Sequence, residues 1–236
     1  MSTTISISGD TSILSADFNP PLYLEDEKQY YLGLADFETF MTIPNIEEGH
    51  NKLYIDNKTI VIPDGTYDIA DIETYITNEI KNTFQNEDVS FSLQPNLNTL
   101  KCHLFCTKTI DFSRSDSIGK LLGFKSRIIE ANTLDVSDTV SNISKVNAVC
   151  IDCNICVGSF SNGKPVHIIH QFYPTVAPGY KIVESPLPIL YFPVSVRTIN
   201  NITVKVVDQD GDLINFRGET ITVRLHLKTN QIENGN

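Results

Sequence analysis

The 236-residue sequence contains no tryptophan and few cationic residues. The lack of tryptophan disfavours an aromatic surface for stacking carbohydrates. Lys and Arg total 18 against 29 for Asp and Glu, which gives a formal net charge of −11 at pH 7. Proteins bind nucleic acids largely through Lys and Arg side chains that displace counterions from the phosphates. Since no Lys or Arg cluster stands out along the chain, we expect no direct contact with nucleic acid.

Long apolar runs and leader segments are also missing. No run approaches the ~20 apolar residues of a transmembrane helix, so we expect no membrane span. Residues 1–6 lack a basic stretch followed by an apolar one, so we expect no signal peptide and synthesis in the cytosol. Disulfides rarely persist in the cytosol, and the five cysteines are therefore expected to be reduced thiols.

Sequence motifs of catalysis and cofactor binding are absent as well. The sequence has neither a phosphate-binding loop nor a dinucleotide fingerprint. The glycines of the stretch 158–163 have the wrong spacing for a nucleophile elbow, so Ser159 and Ser161 are interpreted as loop residues. We therefore predict no catalytic residues and no cofactor, and we expect that the protein is not an enzyme.

Two groups of metal-binding residue types lie in predicted strands. Cys150, Cys153 and Cys156 would need to converge on one metal ion, but strand geometry places Cys153 on the apolar face and the other two on the opposite face. His167 and His170 have an odd offset and the same difficulty. We interpret the cysteines as small buried hydrophobes and the histidines as polar strand residues, and predict no metal ligands. A metal-dependent jelly-roll enzyme that uses His and Cys ligands is kept as a third hypothesis.

An acidic turn provides another candidate. Asp208, Asp210, Asp212 and Glu219 occupy acidic positions of a calcium loop, but Gly211 comes earlier than such a loop requires. An Asp-Gly pair is also favoured in hairpin turns. We predict a turn, and we retain a calcium-dependent ligand-binding jelly-roll module as the alternative function.

Most of the remaining sequence consists of short β patterns separated by turn residues. In the last one, Ile221, Val223, Leu225 and Leu227 alternate with polar residues, as expected for a strand with one buried face. The stretch 97–106 is interpreted as another strand, with Leu100 on its apolar face. About eight to ten such strands, with turn residues between them, predict an all-β fold, either a β-sandwich or a jelly roll.

One segment has helical periodicity instead. Ile69, Ile72, Ile76 and Ile80 recur at steps of three and four, which predicts a helix over about 69–84 inserted between strands. Asp68 is the predicted N-cap of this helix. A shorter helix is predicted at about 117–122.

The predicted domain organisation has three parts. Residues 1–28 contain two adjacent prolines and an acidic cluster at 25–27, and are interpreted as an extended or flexible N-terminal arm. The jelly-roll domain is predicted over 29–229. Residues 230–236 are predicted to form a C-terminal tail.

Four pieces of the sequence, in their order along the chain, resemble the penton-type minor capsid proteins of Maverick/Polinton elements and adintovirus-like double-stranded DNA viruses. They span IVIPDGTYDI at 60–69, SIGKLLGF at 117–124, the stretch 173–194 with PGYKIVE and YFPV, and the stretch 208–228 with DQDG, FRGE and ITVRLHLK. Together they extend over about residues 30–228.

This resemblance implies a single jelly-roll β-sandwich of two packed antiparallel sheets that forms homopentamers at the vertices of an icosahedral virion. There it would contact the major capsid protein, which has a double jelly roll. It also implies synthesis in the host cytosol and supplies no catalytic residues. We expect the ring contacts to include apolar residues of strand ends and loops, with four tyrosines as candidate contact residues: Tyr30, Tyr31, Tyr173 and Tyr180.

Overall fold

A computed structural model describes residues 2–85, 87–143 and 146–231. The chain forms two compact units. The described residues of 1–43 and 146–236 form the first, which we call the jelly-roll unit; those of 44–145 form the second, the inserted unit. No helix among the described residues is long and apolar enough to cross a membrane.

Strands make up most of the regular structure. In chain order, the strands are β1 Ser2–Gly9, β2 Ile13–Tyr23, β3 Lys28–Phe40, β4 Lys52–Ile55, β5 Lys58–Val61, β6 Phe91–Asn96, β7 Lys101–Cys106, β8 Ile110–Asp111, β9 Ile128–Ile129, β10 Thr133–Val136, β11 Val149–Cys153, β12 Ser159–Ser161, β13 Lys164–Val166, β14 Ile168–Phe172, β15 Lys181–Glu184, β16 Phe192–Pro193, β17 Thr198–Val207 and β18 Ile221–Gln231. The helix α1 spans Ile69–Thr83, and a short 3-10 helix spans Ile118–Lys120.

The jelly-roll unit contains two main antiparallel sheets with the strand orders β1-β18-β3-β15 and β14-β11-β17-β2. In addition, β16 pairs with β3, and β12 and β13 form a separate two-stranded sheet. These eight main strands follow a nested pairing: the first pairs with the eighth, the second with the seventh, the third with the sixth and the fourth with the fifth. This pairing is that of one long hairpin folded into two sheets, which is a jelly roll. The predicted fold class is confirmed.

The core of the jelly-roll unit lies between its two sheets. In β18, Ile221, Val223, Leu225 and Leu227 are all buried, as the alternation predicts. Facing residues of β17 complete the layer, and Ile202, for example, is fully buried. The two sheets therefore bury one face each and leave polar residues on the other face, which is how an antiparallel sandwich remains stable in water.

The inserted unit has its own core. It contains the sheet β5-β4-β8-β9 and the sheet β10-β7-β6, and α1 contacts β5 and β6. The four isoleucines predicted on one helical face, Ile69, Ile72, Ile76 and Ile80, are buried in this core. The N-cap is Asp68, whose carboxylate accepts a hydrogen bond from the Asp71 amide at 2.8 Å, and the Asp71 carboxylate accepts one from the Asp68 amide at 3.2 Å. This reciprocal capping box defines the start of α1.

Two local predictions differ from the structure. The second helix is a single 3-10 turn rather than a helix over 117–122. Leu100 does not join the strand, because the chain turns before Lys101; its φ is 58° and its side chain is 59% exposed. The turn is stabilised by the Asn96 side chain, which accepts hydrogen bonds from the amides of Asn98 and Thr99.

The predicted N-terminal arm also has a different structure. Within residues 1–28, β1 pairs with β18 along its whole length and β2 pairs with β17. Ile5, Ile7 and Leu14 of this segment are buried in the core. Pro20 and Pro21 lie where the β2–β17 ladder shifts register, between the pairs Asp17–Asn201 and Leu22–Ile199, and β2 is an edge strand of its sheet. At the other end of the chain, β18 continues to Gln231, and residues 232–236 of the predicted tail lie outside the described part.

Candidate assembly surfaces

Three connections of the jelly-roll unit meet at one end of the sandwich. They are the segments between β2 and β3, between β11 and β14, and between β15 and β17. The Leu24 amide donates to the Arg197 carbonyl at 2.9 Å, which joins the first to the third. The Val157 amide donates to the Pro193 carbonyl at 3.0 Å, which joins the second to the third. These bonds hold the three connections in one continuous surface.

Several large apolar side chains of these connections are exposed to solvent. Leu187 is 98% exposed, Phe160 is 71% exposed and Leu190 is 58% exposed. Tyr23, at the end of β2, is 73% exposed. We call these four residues the exposed loop residues. Large exposed apolar side chains on connections that touch one another are candidates for a surface that a partner covers.

A glycine brings one of these connections close to the sheet. A Cβ atom at Gly33 in β3 would overlap the Leu190 carbonyl oxygen and would lie 2.6 Å from the Ile189 side chain. Because Gly33 has no side chain, the connection after β15 packs directly on the outer face of the sheet. Tyr191 is then held by His226 of β18, with 2.7 Å between the hydroxyl and Nδ1, and by the Lys228 ammonium, 3.6 Å from its ring centroid. Leu187 and Leu190 are thus presented on an anchored loop.

The opposite end of the sandwich carries the β1–β2, β14–β15 and β17–β18 connections. The Met41 amide donates to the Tyr180 carbonyl at 2.8 Å, and the Thr42 hydroxyl donates to the Phe216 carbonyl at 2.6 Å. A groove of about 540 Å³ lies here between the β1–β2 turn and the segment before β18. Its rim exposes Ile13 and Leu213.

The four predicted contact tyrosines fall into two groups. Tyr173 and Tyr180 are 65% and 67% exposed and lie on the β14–β15 connection, where a partner can reach them. Tyr30 is 1% exposed in the core, and its hydroxyl accepts a hydrogen bond from the Glu25 amide. Tyr31 is half-buried in the same strand. A core role for Tyr30 removes it from the candidate contact residues.

The cysteine run is arranged differently from the prediction. All five cysteines are buried and free. A turn follows β11, and the Cys156 amide donates to the Cys153 carbonyl at 3.1 Å, so both residues face the same core instead of diverging. The hydrogen bond between the two thiols, together with burial, raises the pKa of Cys156. Cys150 lies on the other face of β11, as predicted for a strand.

The two histidines near β14 engage separate partners. His167 Nδ1 lies 2.6 Å from the Cys156 carbonyl, and His170 Nε2 lies 2.9 Å from the Glu184 carboxylate. The second contact links the edge strand of one sheet to the edge strand of the other. Among the described residues, no group of three or more His, Cys, Asp or Glu side chains could hold a metal ion.

The acidic turn is stabilised by hydrogen bonds between its own residues. The Asp208 carboxylate accepts hydrogen bonds from the amides of Asp210 and Asp212, at 2.9 and 3.0 Å. The Asp208 amide donates to the Asp212 carbonyl at 2.9 Å, and Gly211 has a φ of 90°. These contacts are those of a tight turn, as the sequence analysis predicted for this stretch.

The exposed loop residues were not singled out by the sequence analysis, apart from the general expectation that apolar loop residues make contacts. Pattern analysis treats an isolated Leu or Phe among prolines as part of a loop, and exposure becomes visible only once the strands are placed.

Comparisons with known proteins give little at the level of sequence: no family model matches the chain, and no curated protein matches it. Among solved structures, the chain is similar to the selenomethionine-labelled mavirus penton protein, with a TM-score of 0.49 and 11% sequence identity. The match covers 97% of this chain and 99% of that chain. At this level of similarity, the jelly-roll assignment rests on the strand pairing described above.

Proposed function

We propose that this chain is a structural capsid protein, a penton that forms the pentameric vertex capsomer of an icosahedral double-stranded DNA virus or a virus-like transposon. Its location would be the capsid vertex of the virion, and its role would not be enzymatic. Its partners would be four further copies of the chain and a major capsid protein with a double jelly roll.

The observation that carries this proposal is the surface of joined connections at one end of the jelly-roll unit. Leu187, Phe160 and Leu190 are held there by hydrogen-bonded loops and yet remain exposed. Exposing such side chains has a cost in free energy that burial against a partner would remove, at roughly 25 cal/mol per Å² of apolar area. The four sequence pieces that resemble penton-type capsid proteins support the identity of the partner as further copies of this chain.

The proposed mechanism is geometric. Each copy would place one surface against a different surface of its neighbour, and a rotation that closes after five copies gives a ring instead of a filament. A stable contact of this kind buries roughly 800 Å² on each partner. The exposed loop residues would supply the apolar centre of that contact, and the charged residues around them would form its rim.

The direct test is the native mass of the purified chain at several concentrations. The proposal predicts a discrete species of five times 26.4 kDa that forms as the concentration rises. The double variant Phe160→Asp/Leu187→Asp should shift this species to the monomer, because two buried charges would be introduced into the contact.

Leu97→Asp is the matched control, because Leu97 is 81% exposed in a turn of the inserted unit. It should leave the pentamer intact. If wild-type protein stays monomeric both alone and with the major capsid protein, the proposed function fails. If Leu97→Asp dissociates the pentamer as completely as the double variant, the assignment of the contact to the exposed loop residues is contradicted.

A further inference from the structure

A polar cavity in the inserted unit concentrates positive charge in an acidic protein. Its volume is about 360 Å³, near the lower end of small-ligand sites, which span roughly 300–1,000 Å³. Three cationic side chains line it: Arg114, Lys120 and Lys125. None of the described residues that line it carries a carboxylate. The cavity is therefore cationic although the chain as a whole has a net charge of −11.

Hydroxyl groups accompany the cations. Five further lining residues carry one: Ser113, Ser115, Ser117, Ser126 and Thr139. Four of these hydroxyls already donate to the Asp111 carboxylate or to backbone carbonyls, so Ser115 and the cationic side chains are the donors left for an anionic oxygen ligand. On one side the wall is apolar, where the rings of Phe112 and Phe124 stack with 5.0 Å between their centroids.

Arg114 is held in a defined orientation. Its Nε lies 3.3 Å from the Asp111 carboxylate, and its guanidinium carbon lies 4.2 Å above the Tyr54 ring. No described residue accepts a hydrogen bond from its two terminal nitrogens, which are the pair that binds oxyanions in a bidentate manner.

The carboxylates near the cavity are already paired. Asp116 accepts hydrogen bonds from Lys52 and Tyr54 at 2.9 Å, and these contacts lower the pKa of Asp116. Asp138 accepts from the Lys125 amide and from Arg127, at 2.9 and 2.8 Å.

By contrast, the ammonium groups of Lys120 and Lys125 are exposed, and neither makes an ion pair with any described residue. Both can contact a ligand, although Lys125 also interacts with the Asp138 carboxylate and helps to lower its pKa.

We propose that this cavity binds a phosphate-class oxyanion, either inorganic phosphate or the phosphate of a small monoester, through Lys120, Lys125 and the free end of Arg114. The inference is independent of the proposed capsid function, because all the residues involved belong to the inserted unit. It also corrects the expectation that no cationic cluster stands out. The stretch 113–127 contains four basic residues and one acidic residue, a local excess that the overall charge conceals.

The test is calorimetric titration of the full chain with inorganic phosphate and, separately, with a nucleoside monophosphate, in buffers of equal ionic strength set with chloride. Binding of either ligand is expected, and tighter binding of the monophosphate would identify a monoester as the ligand. The variant Lys120→Gln/Lys125→Gln should weaken binding at least about tenfold, the effect of losing a charge-assisted contact. Arg114→Lys should also weaken it, because the bidentate fork is lost.

Lys58→Gln/Lys81→Gln is the matched control, since it removes the same charge from exposed positions of the inserted unit outside the cavity. It should change the affinity less than twofold or so, as expected for remote exposed charges at moderate salt. Thermal unfolding in chloride checks that both double variants fold. The proposal is overturned if neither ligand binds, or if the control weakens binding as much as the cavity variant.

Discussion

The two units of this chain build their cores in opposite ways. In the jelly-roll unit, the first strand pairs with the last, so that Ile5 is paired with Leu225 although nearly the whole sequence separates them. In the inserted unit, strands that are neighbours in the sequence pair with one another, as β4 does with β5 and β6 with β7. The helix α1 contacts one strand of each of its two sheets, β5 and β6. Distant pairing is slow to form because the loop must close before contacts are made. We therefore expect the two cores to unfold separately when one of them is destabilised.

The largest effect is expected from Phe37→Ala. Phe37 is fully buried in the jelly-roll unit, with its ring 5.3 Å from that of Phe172 and 6.4 Å from that of Phe216. Its truncation should destabilise this unit by about 3–5 kcal/mol, through lost burial and the cavity left behind. Thiol labelling during denaturant unfolding measures this at Cys150, Cys153 and Cys156, which are buried in the same unit. Val183→Ala, at an exposed position of β15, should have an effect within about 0.5 kcal/mol.

Ile76→Ala tests the inserted unit in the same way. Ile76 is fully buried on the core face of α1. Its truncation should cost about 2–5 kcal/mol. The expected readout is earlier labelling of Cys102 and Cys106, with the cysteines of the jelly-roll unit unchanged. If all five cysteines respond together to both variants, the two units unfold as one, which would contradict two independently stable cores.

A smaller effect is expected at the start of α1. Asp68→Ala removes the N-cap side chain and leaves the Asp71 amide without its acceptor. The expected cost is about 1 kcal/mol, confined to the inserted unit and measured from the midpoint of denaturant unfolding. Asp64→Ala is the control, because Asp64 is an exposed acidic residue outside the helix. Equal losses in the two variants would contradict the capping assignment.

The smallest expected difference between the two units is in their stability at low pH. In the inserted unit, hydrogen bonds from Ser113, Lys52 and the Lys125 amide lower the pKa of Asp111, Asp116 and Asp138, respectively. In the jelly-roll unit, only Glu38 among the described residues has a lowered carboxyl pKa, through Lys181. A carboxyl group whose pKa is lower in the folded than in the unfolded state stabilises the fold at pH values above its ordinary pKa. That contribution is lost as the pH falls through the pKa of the folded state.

The inserted unit should therefore weaken more than the jelly-roll unit once the pH falls below 3.8, the ordinary value for Asp. Limited pepsin digestion over this range gives the measurement, with first cleavage expected within 44–145. Asp116→Asn should reduce the acid sensitivity of that unit, and preferential cleavage of the jelly-roll unit instead would contradict the prediction.

The pattern of residues predicted the helix and the final strand well, for a local reason. Ile69 to Ile80 and Ile221 to Leu227 repeat with the periods of a helix and a strand, and one buried face is sufficient to select each element. Leu100 and the N-terminal segment were predicted less accurately. Leu100 lies in a turn that the Asn96 side chain stabilises, and a period-two pattern does not reveal that turn. The N-terminal segment is ordered by pairing with β18, at the other end of the chain.

Local pattern was sufficient to predict the all-β class, the helix with its N-cap and the turn at Asp208, because periodicity and side-chain chemistry act over a few residues. Long-range contacts alone show that β1 and β2 complete the two sheets, that Cys153 and Cys156 face one core, and that three connections are joined at one end of the sandwich. The tertiary structure also brings Arg114, Lys120 and Lys125 around one cavity. These features depend on contacts between residues far apart in the chain, and a local pattern carries no information about which distant strand or loop a segment will meet.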